Sequence, residues 1–222
     1  SRRDVAAEIM RFEEANGDIE ARLGSTDLTE ISADPDLQSF AHNSGAAVFR
    51  TRCAQCHGSG AAGAAGAKGY PNLLDDDWLW GGSIEDIYLT VAHGIRNDND
   101  PDARWSEMPK CGELLEDEEI DGLVQYVLSI SGQEHDEAIA MAASETYLDQ
   151  CSSCHMEDGT GDREVGAPNL TDSIWLFGGD PDSIRHTITY ARFGVMPNWS
   201  TQLSESQIRA VASYVHSLGG GE

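Results

Sequence analysis

The sequence predicts an all-α fold in which two tandem domains follow an N-terminal helix. Two observations carry this prediction: an internal repeat that spans most of the chain, and apolar residues at helical spacing in each copy. Strand signals are weak throughout, and 222 residues suffice for two small domains. We expect an N-terminal helix and linker over 1–35, a first domain over 36–132 and a second over 133–222.

The repeat appears as matching stretches at two constant offsets. At an offset of 97 residues, Pro71-Asn72-Leu73 recurs as Pro168-Asn169-Leu170, and Trp78-Leu79-Trp80-Gly81-Gly82 recurs as Trp175-Leu176-Phe177-Gly178-Gly179. At an offset of 88 residues, Met108-Pro109 recurs as Met196-Pro197. The difference of nine residues, 97 minus 88, indicates an extra loop in the first copy, rich in Asn and Asp, at about 97–104.

The helices are predicted from apolar spacing and from the residues that interrupt it. Sparse apolar positions at Val5, Ile9, Phe12 and Ile19 indicate a helix from residue 1 to about 23, followed by a loop-like stretch to Pro35. In each copy we expect a helix leading into a Cys-x-x-Cys-His motif, then a long loop and two further helices. The expected ranges of these later helices are 83–94 and 116–130 in the first copy, and 181–192 and 204–218 in the second.

Each copy contains the attachment motif of a c-type haem, at 53–57 and at 151–155. Two thiols one helical turn apart can form thioethers with one edge of a porphyrin, and the histidine that follows then lies under the iron. The cysteines Cys53, Cys56, Cys151 and Cys154 are therefore predicted to bind two haem c groups, with His57 and His155 as the proximal ligands. One zinc site would not require the histidine twice, and the βαβ setting of a thioredoxin-like motif is absent.

The sixth ligand of each iron is predicted to be a methionine. Met108 and Met196 are aligned by the repeat, each precedes a proline, and each lies in the loop before the last helix. A thioether ligand raises the reduction potential, as electron-transfer cytochromes require. His93 and His186 are weaker candidates because the repeat does not align them. Cys111 could compete for the first iron as a thiolate, although packing beside the haem as a small apolar residue is the favoured interpretation.

Aromatic and basic residues are predicted to complete the haem pockets. Trp78 and Trp175, with Trp80 and Phe177, are expected to form pocket walls, and an indole N–H could donate to a haem propionate. Arg192 and Arg96 could pair with propionates in the same way. No general base, nucleophile or open metal position is evident, so we predict no catalytic residue in this chain.

The charge of the chain limits its partners. Its 39 acidic and 14 basic residues give a net charge of −25, which disfavours binding to nucleic acid or to an anionic membrane surface and would attract a cationic redox protein. A generally acidic surface suited to a saline habitat is the alternative explanation. No stretch approaches the length of a membrane span, and residues 1–4 do not begin a signal peptide. Because c-type haem is attached outside the cytoplasm, we expect an export signal or membrane anchor upstream.

Together these motifs resemble the dihaem subunit III of cbb3-type cytochrome c oxidases. The resemblance covers about residues 36–219, and its most specific parts are Pro168-Asn169-Leu170-Thr171-Asp172 with Trp175-Leu176, and Gly194-Val195-Met196-Pro197. It implies class I cytochrome c-like domains with the axial pairs His57/Met108 and His155/Met196. The acidic loop and Cys111 depart from the family pattern.

The resemblance also implies a function. It implies electron transfer from a donor cytochrome c towards the haem–copper catalytic subunit, in contact with other oxidase subunits, on the periplasmic side of a bacterial inner membrane. This chain would itself not be catalytic. Two alternatives remain: a free periplasmic dihaem electron shuttle, and a dihaem enzyme such as a peroxidase or a thiosulfate dehydrogenase, which would need one iron with an open or displaceable ligand.

Overall fold

The computed structural model of the chain describes residues 2–63 and 68–222. These residues are mainly helical, and their β pairing is limited to isolated bridges, such as those that Ile95 makes with Arg104 and with Met196. The all-α expectation is therefore confirmed. Ser1 of the predicted first helix lies outside the described residues.

The helices lie close to their predicted ranges. Along the described chain they are α1 (Arg2–Ser25), α2 (Pro35–Val48), α3 (Ala54–His57), α4 (Ile84–His93), α5 (Asp117–Ile130), α6 (Glu137–Ala142), α7 (Ser144–Gln150), α8 (Ser152–His155), α9 (Pro181–Tyr190) and α10 (Glu205–His216). Short 3-10 helices cover Leu28–Ala33 and Cys111–Glu113, and a π-helical turn at Phe49–Cys53 leads from α2 into the first motif.

Equivalent side chains begin the equivalent helices of the two copies. Ser83 accepts a hydrogen bond from the Asp86 amide at the start of α4, and Asp180 accepts one from the Ser183 amide at the start of α9. Capping boxes begin both α5 and α10, so the last helix of each copy also starts in the same way. These caps satisfy amides that a helix start would otherwise leave unpaired.

The first core joins helices from the two ends of the chain. Val48 of α2 and Val91 of α4 pack in one cluster with Ile208, Val211 and Val215 of α10. Gly45 shows how close this packing is, because a Cβ atom added there would lie 2.1 Å from the carbonyl oxygen of Ala210. Helices α2 and α10 therefore cross almost backbone to backbone.

The second core is built from the middle of the chain. Leu123 and Val127 of α5 pack with Tyr147 of α7 and with Ile184 and Ile188 of α9. Helix α5 belongs to the first copy of the repeat, whereas α7 and α9 belong to the second. A loop of six residues, 131–136, joins α5 to α6, and such short connections place consecutive helices side by side.

The two copies therefore exchange their last helices. Helix α10 completes the core of the first motif, and α5 completes the core of the second. The sequence predicts two domains in tandem, and the packing adds that each core takes its last helix from the other copy. The boundary between residues 132 and 133 stays a prediction about the repeat in sequence, because the structural units do not follow it.

Helix α1 packs on the first unit through its C-terminal end. Leu23 is buried with Ile31, Leu37 and Ala41, and Ala210 of α10 completes this cluster. Residues 2–12 of α1 are exposed. None of the helices within 2–63 and 68–222 combines the length and the hydropathy that crossing a bilayer requires.

Candidate haem sites

Both motif histidines are oriented in the same way by the loop that follows them. Nδ1 of His57 lies 3.2 Å from the carbonyl oxygen of Pro71, and Nδ1 of His155 lies 3.0 Å from that of Pro168. A carbonyl oxygen only accepts, so Nδ1 must carry the proton and donate it. Nε2 is then left with its lone pair, which is the tautomer that an iron ligand needs.

The protein also keeps these histidines neutral. Burial lowers the pKa of His57 and of His155, although the hydrogen bond to each proline carbonyl raises it. A neutral imidazole is the form that binds a metal. Burial also raises the pKa of the Cys53 thiol to about 11 and that of the Cys151 thiol to about 12, so both thiols are protonated at neutral pH.

The methionines lie near the motif of the other copy. Met196 packs against the first core, as Cys53 does, and Met108 packs against the second core, as Cys151 does. The exchange of α5 and α10 carries the preceding loops with it. This packing contradicts the expected pairs His57/Met108 and His155/Met196, and it favours His57/Met196 and His155/Met108.

Backbone contacts hold the Met196 loop against the first unit. Ile95 and Met196 exchange two backbone hydrogen bonds of 3.0 Å, and the amide of Trp199 donates to the carbonyl of Val91. Gly94, with a φ of +77°, lets this loop approach, because a Cβ atom there would lie 2.2 Å from the Met196 carbonyl oxygen. Met196 is therefore fixed beside α4 of the first copy.

Cys111 belongs to the second site and not to the first. It is buried in the second core, near Met108 and Cys151, and its thiol lies 3.7 Å from the Pro109 carbonyl oxygen as a weak donor. Burial raises the pKa of Cys111, which disfavours a thiolate ligand. These observations favour a small packed residue at the second haem and oppose competition for the first iron.

The predicted tryptophans lie on the second glycine of each Trp-Leu-aromatic-Gly-Gly stretch. A Cβ atom at Gly82 would lie 2.4 Å from Cδ1 of Trp78, and one at Gly179 would lie 2.4 Å from Cδ1 of Trp175. Trp78 packs against the first core and Trp175 against the second. The indole N–H of Trp78 donates to the Gly220 carbonyl, which contradicts donation from this residue to a propionate. The wall positions of both residues stay predictions.

Arg192 has a counterpart that sequence reasoning missed. Its guanidinium donates to the Ser183 carbonyl and to the Thr187 hydroxyl, and it stacks on Phe177 at 5.2 Å. Arg104 makes the matching contacts in the first copy. It donates to the carbonyl of Asp86 and to the hydroxyl of Thr90, and it stacks on Trp80 at 5.4 Å. The offset between the two arginines is 88 residues, the offset of the two methionines, so the repeat itself contained the signal.

Arg96 lies beside Arg104, over the same Trp80 ring at 5.5 Å, and it donates to the Gly194 carbonyl in the loop of Met196. It therefore links that loop to the first copy. Pairing of Arg96 or Arg192 with a propionate stays a prediction.

Two buried donors of the first copy fit a haem propionate. Among the described residues, Nδ2 of Asn97 and Nε of Arg104 are buried donors without a partner, and Asn97 is only 6% exposed. A propionate is an acceptor of the kind that such donors need. The other histidines weighed as ligands are engaged elsewhere: His93 lies 3.1 Å from the Asp100 carboxylate, and the His186 ring lies 4.7 Å from that of Tyr190.

Comparison with known proteins agrees with this description. A cytochrome c family model matches residues 43–131, and a model for cytochrome c oxidase, cbb3-type, subunit III matches residues 138–215. The chain is 60% identical over 224 residues to the cbb3-type cytochrome c oxidase subunit CcoP of Cereibacter sphaeroides, covering 100% of this chain and 76% of the relative. It is 56% identical to CcoP of Rhodobacter capsulatus, with 100% and 77% coverage. It is 42% identical to the FixP subunit of Sinorhizobium medicae, with 100% and 76% coverage.

These matches confirm the predicted family, the two cytochrome c domains and the two covalently bound haem c groups. The cysteines that would carry them are Cys53, Cys56, Cys151 and Cys154, two in each motif. The chain therefore belongs to the subunit III family of cbb3-type cytochrome c oxidases, and it is a dihaem electron-transfer protein.

Proposed function

We propose that this chain receives electrons from a donor cytochrome c and passes them towards the haem–copper subunit of a cbb3-type oxidase, on the periplasmic side of the membrane. The proposal includes two axial pairs that cross between the repeats, His57 with Met196 and His155 with Met108. The observation that carries it is the packing of each methionine in the core that holds the other copy's motif.

When bound, haem c supplies a one-electron couple between ferric and ferrous iron. The chain's own residues determine how readily that couple works. The proline carbonyls of residues 71 and 168 hold the histidine rings in one tautomer and one orientation. With haem bound, the methionine thioethers would favour the reduced state, and a histidine and a methionine at each iron would leave no position for a substrate.

Rigid cores keep the ligands in place during electron transfer. Backbone hydrogen bonds join the Met196 loop to Ile95 and Val91. In the second site the Cys111 thiol lies 3.7 Å from the Pro109 carbonyl oxygen. A ligand that stays bound in both oxidation states limits the reorganisation that accompanies electron transfer. This favours a carrier over a dihaem enzyme, which needs a ligand that leaves.

The test is the weak methionine-to-iron absorption band of the oxidised holoprotein, measured in the wild type, Met108→Ala and Met196→Ala. We expect each substitution to remove part of this band and to create one iron that binds carbon monoxide when reduced. The reduced wild type should bind none. A full-strength band in either variant, or carbon monoxide binding by the wild type, would contradict the proposed ligands.

A further inference from the structure

The two haem sites present different surfaces where their motif cysteines reach solvent. In the first motif Cys56 is exposed, and in the second Cys154 is half-buried beside the exposed Ser153. The cysteines fix the porphyrin edge that bears the thioethers, so residues next to each motif surround the most accessible edge of each haem. Because the motifs are copies of one unit, these surroundings can be compared position by position.

The surface next to the first motif is neutral or basic. Arg50 and Arg52, which precede Cys53, are both exposed, and the residues two and three places after His57 are Ser59 and Gly60. The matching positions of the second copy differ in charge. Leu148 and Gln150 replace the arginines at an offset of 98 residues.

The surface next to the second motif is acidic. Asp149 precedes Cys151, Glu157 and Asp158 follow His155, and all three side chains are exposed. None of them takes part in an ion pair among the residues that the structure describes. Asp158 accepts hydrogen bonds from the amide and hydroxyl of Thr160, which lower its pKa and keep it charged.

The charge of the wider chain extends the same contrast. Over a larger range, residues 105–192 contain 19 acidic and 4 basic residues, a net charge of −15 within the total of −25. The acidity is therefore concentrated around the second haem.

An exposed apolar side chain accompanies these acids. Met156, which follows His155 directly, is 38% exposed. Aromatic and methionine side chains supply apolar contact at interfaces, while charges at the rim steer the partner and set its orientation. Both kinds of side chain flank the second site.

We propose that the surface around the second motif, formed by Asp149, Glu157, Asp158 and Met156, is the docking surface for the electron donor, and that this donor carries a ring of lysine residues around its own haem edge. The inference rests on the proposed function and locates its entry point. One electron leaves the reduced centre of the donor and reduces the ferric haem of the second motif, with no change in bonded atoms. Arg50 and Arg52 repel such a donor from the first motif.

The experiment measures binding of an oxidised basic class I cytochrome c to the oxidised holoprotein by calorimetry at low ionic strength. The test variant is Asp149→Asn/Glu157→Gln/Asp158→Asn. The control is Asp18→Asn/Glu30→Gln/Asp36→Asn, which removes the same charge from exposed positions in the N-terminal part. We expect about tenfold weaker binding and a weaker salt dependence for the test variant, and a change below about twofold for the control.

Equal losses in the two variants would show that only the overall charge matters, and would overturn the proposal. Unchanged binding in the test variant would overturn it as well. A neutral hydroquinone reductant should reduce all variants at the same rate, with the methionine-to-iron band intact. Absence of that band from the wild type would contradict the proposed axial ligands. If only the binding result failed, the electron-transfer function would stand and the docking surface alone would be wrong.

Discussion

At the scale of single residues, the attachment motif and the internal repeat made part of each haem site predictable from the sequence. The motif cysteines and histidines follow from the chemistry of attachment, and Met108 and Met196 follow from their alignment. Arg104 was missed because it lies in the stretch assigned to the extra loop of the first copy. The hydrogen bond from the Trp78 indole to the Gly220 carbonyl joins residues 142 positions apart, and no local sequence pattern indicates such a contact.

One residue whose ionisation opposes folding lies where the two copies face each other. Burial, together with the charges of Asp172 in the second copy and of Asp75, raises the pKa of Asp77 to about 6, against a smaller opposing effect of Arg163. The folded state therefore holds this proton more tightly than the unfolded chain, whose Asp has a pKa near 3.8. Ionised Asp77 destabilises the fold above about pH 6, and protonation removes this effect as the pH falls.

We therefore expect Asp77→Asn to stabilise the holoprotein at pH 8. The gain should shrink between pH 6 and pH 4 and vanish below, where both states of the wild type bind the proton. Urea unfolding at several pH values measures it. Asp98→Asn, at an exposed position, removes the same charge and serves as the control. A gain of equal size at pH 8 and at pH 4 would contradict this account of Asp77.

At the scale of elements, the positions of the helices along the chain were predicted, whereas the packing of each helix against the other copy was not. Apolar spacing and the residues that interrupt it placed α4, α5, α9 and α10 within about two residues of their observed ranges. The repeat is symmetric, however, so it fixes which helices are equivalent without fixing which copy each one packs against. The short link between α5 and α6 was the available signal, since a loop of six residues keeps α5 beside the second unit.

The crossing of α2 and α10 gives a sharp test of this partnership. Gly45→Ala should destabilise the protein by about 1–3 kcal/mol, because the added methyl group meets the backbone at Ala210 and cannot be accommodated without moving a helix. Chemical unfolding monitored by circular dichroism measures the loss.

Gly17→Ala is the matched control for this substitution. Gly17 lies in the exposed part of α1 with nothing within 4 Å of an added Cβ atom. Its replacement should stabilise the helix by about 0.5–1 kcal/mol, since alanine is the better helix former. If Gly45→Ala were as harmless as Gly17→Ala, α2 and α10 would not cross as described.

At the scale of the whole molecule, the exchange of last helices makes the two haem units one folding unit. A chain ending at residue 132 keeps the first motif but lacks α10 and Met196, and its own α5 has lost the core that it completes. Small units with modest cores depend on every packed element. The predicted boundary in sequence is therefore a poor place to divide the protein.

We expect residues 1–132, produced alone with haem attached, to lack the methionine-to-iron band and to show no cooperative thermal transition. Adding separately produced residues 133–222 should restore both, because the second fragment supplies the missing methionine and helix. A fragment that by itself has a full band and a cooperative transition would show that each repeat closes its own core.

The most direct test of the crossed pairing is proton NMR of the reduced holoprotein. The methyl group of a ligated methionine lies over the porphyrin, and nuclear Overhauser contacts connect it through the meso protons to the thioether protons of the same haem. Met108→Ala identifies which methyl resonance belongs to which methionine. We expect the Met196 methyl to share a porphyrin with Cys53 and Cys56, and the Met108 methyl to share one with Cys151 and Cys154. Connection of Met196 to the haem of Cys151 and Cys154 would contradict the crossed arrangement.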